Sequence, residues 1–144
     1  MKKRPVFLII ILLLVISGIV IFVRLREKAP LAKSIEAELN YTVVSCIDEN
    51  GEVEVVIDFH PQPGPELYAQ YCARLVLSSI KRFPRRANAF PEEVTVRLYV
   101  KDTKQTILRV SVTGARLLET SWDTLLEDQI PDHVDYYYFN DNVF

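Results

Sequence analysis

Glycine is scarce in this chain, four in 144 residues, and cysteine and histidine number two each. With so few glycines there is no Walker-type loop and no G-x-S-x-G elbow, so the usual phosphate cradle and the strained serine turn of many hydrolases are excluded. Neither H-E-x-x-H nor C-x-x-C occurs, which removes the common zinc and thiol-redox motifs. Basic charge is also short where nucleic acid would need it. Residues 29–144 hold 11 basic and 18 acidic side chains, a formal charge of −7, whereas phosphate backbones call for a basic footprint. No motif points to a cofactor or a small-molecule substrate, and the chain has no internal repeat or low-complexity segment.

What the chain does have is a charge-free, apolar run over residues 6–23, introduced by Lys2, Lys3 and Arg4 and closed by Arg24 and Arg26. Its length approaches that needed for a bilayer core of about 30 Å. The run ends directly in arginine without a small-residue exit, unlike a cleaved signal peptide. The expectation is a single-pass signal anchor with the N-terminus inside, the folded part extracytoplasmic, and the lipid bilayer plus another membrane or envelope protein as partners.

Four segments follow from composition and periodicity: 1–28 as membrane anchor with flanking basic residues, 29–40 as juxtamembrane connector, 41–130 as a small α+β domain, and 131–144 as an acidic and aromatic tail. Pro30 suits the first turn of a connector helix with Leu31, Ile35 and Leu39 on one face. Residues 41–47 and 52–60 are rich in β-branched and aromatic types around Asn50-Gly51, a strong hairpin signal. A two-residue turn sets Glu49 opposite Glu52, Cys46 opposite Val55 and Val44 opposite Ile57. The prolines at 61, 63 and 65 end the strand and lead into a helix over 66–83. That helix carries a polar line of Glu66, Gln70, Arg74 and Ser78 opposite an apolar stripe that includes Cys72.

Residues 94–100 and 108–112 alternate as a second hairpin, whose parity requires an odd-length loop near Thr103 to Gln105. Ser121 is placed to cap a last helix through about Gln129. The fold expected is thus α+β: an N-terminal transmembrane helix, then a four-stranded antiparallel or mixed sheet in two hairpins with a central helix on one face.

The candidate functional residues are few. Asp58 and His60 lie two apart on one strand and share a face, as two metal ligands or an acid/base pair would; the stronger reading is a solvated sheet face, which also carries Glu52 and Glu54 and can pair across strands with Arg97, Lys101 and Arg109, since zinc sites normally use at least three protein ligands. Cys46 and Cys72 are both aimed at the sheet–helix interface, where they form either a disulfide or two unpaired core thiols. Lys81, Arg82, Arg85 and Arg86 could engage an anionic partner or complement the helix C-terminus. The function expected is a non-catalytic binding or assembly module, and the alternative a membrane-bound hydrolase or metal-binding enzyme using Asp58 and His60.

Overall fold

The computed structural model describes residues 4–26, 29–86 and 88–143. Helix α1 (Arg4–Arg26) is followed by α2 (Pro30–Leu39), strands β1 (Thr42–Glu49) and β2 (Glu52–Asp58), helix α3 (Pro65–Arg82), strands β3 (Glu93–Val100) and β4 (Gln105–Thr113), short helices α4 (Gly114–Glu119) and α5 (Ile130–His133), and strand β5 (Tyr136–Phe139).

The expected membrane anchor is corrected. Among the described residues, no helix is long and apolar enough to cross a membrane, and the single-pass, extracytoplasmic placement built on that helix goes with it. The side chains at 21–23, and Lys2, Lys3 and Lys28, lie outside the described residues. Val6 to Val20 are exposed, and among the described residues no α1 side chain belongs to the hydrophobic core.

The sheet is also corrected, from four strands to five in the order β1-β2-β3-β4-β5. It is mixed because β2 pairs with β3 in parallel, while the other three pairings are antiparallel. A parallel pair needs a crossover, and α3 supplies it. The fifth strand comes from the tail, where Tyr137 and Phe139 take one face and Tyr136 and Tyr138 the other. Three consecutive tyrosines conceal that alternation in the sequence.

In the first hairpin Glu49 faces Glu52 and Cys46 faces Val55, but Val43, not Val44, stands opposite Ile57 because the register shifts between Val43 and Ser45. The bulge leaves Val44 43% exposed while Val43 is buried. In the second hairpin Val100 pairs with Gln105, and the register shifts where Leu98 meets Leu108 and Tyr99 meets Thr106. An even loop plus one bulged residue, Ile107, thus satisfies the parity that an odd loop would have met. The expected helix from Ser121 is replaced by turns and a 3-10 segment (Glu127–Gln129). The true helix, α4, lies earlier, and the Thr113 side chain caps it by accepting from the Arg116 N–H.

Valines, leucines and one isoleucine at 53, 55, 57, 94, 96, 98, 108, 110 and 112 of the sheet meet Ala69, Cys72, Ala73, Val76 and Ile80 of α3, with Leu31 and Ile35 of α2 in the same core. The polar line of α3 receives the C-terminal segment. Gln70 donates to the Tyr137 hydroxyl at 2.8 Å, Tyr137 donates to Glu66 at 2.9 Å, Arg74 donates to the Trp122 and Asp123 carbonyls, and Ser78 donates to Asp123 at 2.5 Å. Trp122 is itself buried, its indole N–H donating to the Leu117 carbonyl at 3.0 Å.

At the other end of the sheet the Gly51 carbonyl accepts from the Glu92 and Glu93 N–H groups, and the Gly114 N–H donates to the Glu92 carbonyl at 2.7 Å. The chain passes so close here that a Cβ on Gly114 would stand 2.0 Å from the Pro91 carbonyl oxygen. Backbone must move to admit it. Gly114→Ala is therefore expected to cost about 2 kcal/mol or more, lowering Tm by roughly 10 °C in thermal denaturation; an unchanged Tm would refute the close approach.

Candidate functional site: the open face of the sheet

Helices α2, α3 and α4 lie on one side of the sheet, so side chains of the opposite parity form a face with no helix over it. The pairing registers arrange that face in rows across the strands. The first row is Glu49, Glu52 and Glu93. The second is Ile47, Glu54, Thr95, Ser111 and Tyr136, and the third Ser45, Val56, Arg97, Arg109 and Tyr138. Asp58 and Tyr99 lie in the fourth.

The charges are thereby sorted: a carboxylate row at the hairpin end, and a guanidinium row two rows away. Neither is well neutralised from within. Arg97 reaches Glu54 only at 4.0 Å, and its Nε is buried without a hydrogen-bond partner. Among the described residues Glu49, Glu52 and Glu93 form no ion pair. Arg109 lies 6.0 Å from the centre of the Tyr136 ring, within cation–π range. Thr95 and Ser111 share a buried hydroxyl hydrogen bond of 2.9 Å in the middle row. A depression of about 230 Å³ runs between Glu52, Glu54, Glu93, Thr95 and Arg109.

Asp58 and His60 fall at the far end of this face. His60 Nε2 is 3.9 Å from Asp58 Oδ2, and the imidazole is 84% exposed. Lys101 approaches the same carboxylate at 3.8 Å, and Asp58 Oδ1 is buried without a hydrogen-bond partner. Among the described residues no group of three His, Cys, Asp or Glu side chains is gathered as metal ligands would be.

Cys46 and Cys72 are free thiols. Cys72 is buried in the core and donates to the Tyr41 hydroxyl at 3.2 Å. Burial raises both thiols, Cys46 to about 11, and burial together with the Cys72 contact holds the Tyr41 phenol well above its ordinary range.

The four cations expected as one patch have separate surroundings. Lys81 donates to the Thr120 carbonyl at 2.9 Å; Arg82 binds Ser78, Asp123 and Glu38; Arg85 makes a two-pronged contact with Asp48 at 2.8 and 2.9 Å. Arg86 is exposed. Three of the four are thus used to fasten α3 and the following loop to α2, β1 and the C-terminal segment. The residues that define the open face, Arg97, Arg109, Tyr136 and Tyr138, carry no local motif; only the pairing of three strands brings them together.

No family model matches the chain, and no curated protein or solved structure is similar to it.

The thiol environment yields a direct test. At pH 8 a group with a pKa of about 11 holds roughly 100-fold less thiolate than one of pKa 9, so alkylation of Cys46 in C72S protein should be slowed by about that factor and accelerate tenfold per pH unit. The unfolded thiol ionises first, so this contribution to stability is complete below pH 9 and lost as pH rises toward about 11. Rapid labelling at pH 8 would show that the site is open.

Proposed function

We propose that this chain is a non-catalytic binding or assembly module whose contact surface is the open face of its sheet. The observation that carries the reading is the row arrangement: unneutralised glutamates and arginines in separate lines, flanked by Tyr136 at 50% exposure, Tyr138 at 43% and Ile47 at 44%. Tyrosine and arginine are the types that anchor protein interfaces, because both bring large contact area together with a polar end. A solvated face built only for solubility would intersperse its charges so that cross-strand neighbours attract.

The alternative of an enzyme at Asp58 and His60 gains no specific support. An imidazole 84% exposed and 3.9 Å from its carboxylate lacks the close hydrogen bond expected of a working acid/base pair.

Photo-crosslinking in cells tests the reading. A photoreactive residue replacing Tyr138 should give a protein adduct of one defined mass. The same residue replacing Leu118, exposed on α4 on the helical side, should give several-fold less. Equal yields from both positions, or none from 138, would overturn it.

A further inference from the structure

We propose that the partner of this face is a second copy of the same chain, docked sheet to sheet about a two-fold axis lying in the interface. This rests on the reading of the open face as a contact surface and adds the identity of its occupant.

The argument starts from like charges in register. Glu49 is paired with Glu52, Glu52 with Glu93, and Arg97 with Arg109. Like charges directly opposite on neighbouring strands are destabilising, so the isolated protomer carries two lines of repulsion, the arginine line only partly relieved by Glu54 at 4.0 Å from Arg97. They are of opposite sign and lie about 13 Å apart along β3, between Glu93 and Arg97. A two-fold axis in the plane of contact, passing between them at the level of Thr95 and Ser111, exchanges the two lines. The axis keeps each strand over its own copy, so Glu93 of one protomer lies over the partner's Arg97, with Glu52 and the partner's Arg109 one strand to either side, and the reverse holds by symmetry, as an isologous interface requires.

The middle row suits the axis. Thr95 and Ser111 are short, buried and already bonded to each other, so they permit close approach and bring no unpaired group. Ile47 and Tyr136 stand at its two ends and supply apolar margins. At physiological salt the screening length of about 8 Å weakens the general repulsion between two acidic domains while leaving the apposed rows in contact. Five strands and four rows give a footprint of about 20 Å by 20 Å, roughly 400 Å² on each protomer and below the usual size of a stable interface, so the expected dimer is a weak, transient one with a Kd of micromolar or higher.

The test uses the full-length chain in non-ionic detergent, which covers the exposed α1 side chains, with two differently tagged copies. One variant reverses the glutamates (Glu52→Arg with Glu93→Arg), the other the arginines (Arg97→Glu with Arg109→Glu). Wild type should capture wild type, and each reversed variant should capture itself at least about tenfold more weakly. The two reversed variants should capture each other to within a few-fold of wild type, which also shows that both are folded.

Equal capture in every combination would mean association elsewhere, α1 included, and would overturn the proposal. So would absence of wild-type capture; a crosslinked adduct from position 138 with a mass other than twice the chain would then leave the module reading standing while this one fails. Should a reversed variant not fold, salt decides: wild-type dimerisation should weaken at least about tenfold between 0.1 and 0.5 M NaCl, and salt-independent dimerisation would sink the idea.

Discussion

The parallel pairing of β2 with β3 is the constraint on which the rest of the molecule depends. Two adjacent parallel strands cannot be joined by a tight turn, so the chain must travel back along one face of the sheet, and α3 does so. That obligation fixes which face is covered. Once α3 lies on the side of Val55, Val96 and Val110, the apolar parity of every strand must follow, and the opposite parity is left to face outward. The C-terminal segment then has one place to add itself: along the polar line of α3 and against the edge of β4.

The same geometry explains how α3 is held. Its apolar side is fixed by packing against the sheet, and its polar line is fixed by hydrogen bonds to Tyr137, Trp122, Asp123 and Glu127. These partners are distant in sequence but converge on one helix, so the C-terminal third is fastened by directional contacts as well as by the buried Leu117, Trp122, Ile130 and Val134. The basic residues around the end of α3 belong largely to this fastening.

Local signals in the sequence were read well where a single segment carries them: Asn50-Gly51 for the first turn, the proline cluster before α3, the alternation of β3. They failed where two segments had to be compared. Parallel or antiparallel pairing of β2 and β3 depends on the path of the crossover, and no residue announces it. The bulges at Val44 and Ile107 change register through one unpaired residue without altering composition. Strand β5 was hidden because tyrosine suits both faces of a sheet edge, and α4 because the stronger-looking cap at Ser121 competed with Thr113. The apolar run suggests a span by length and hydropathy alone, whereas among the described residues no helix is long and apolar enough to cross a membrane. Of the open face, its polar character and its charged residues, Glu52, Glu54, Arg97 and Arg109, are legible from strand alternation; the sorting of those charges into rows exists only after four strands have been placed in register.

The bulge at Val44 has a further consequence for the margins of the sheet. A sheet with two free edges invites other chains to add strands to it, the route by which β-rich domains grow into insoluble fibres. Here one margin is interrupted near its start by the misregistered Val44, and the other is a strand of only four residues, Tyr136–Phe139. Neither offers the long, flat run of unpaired backbone that such growth requires, so the exposed sheet makes a poor template.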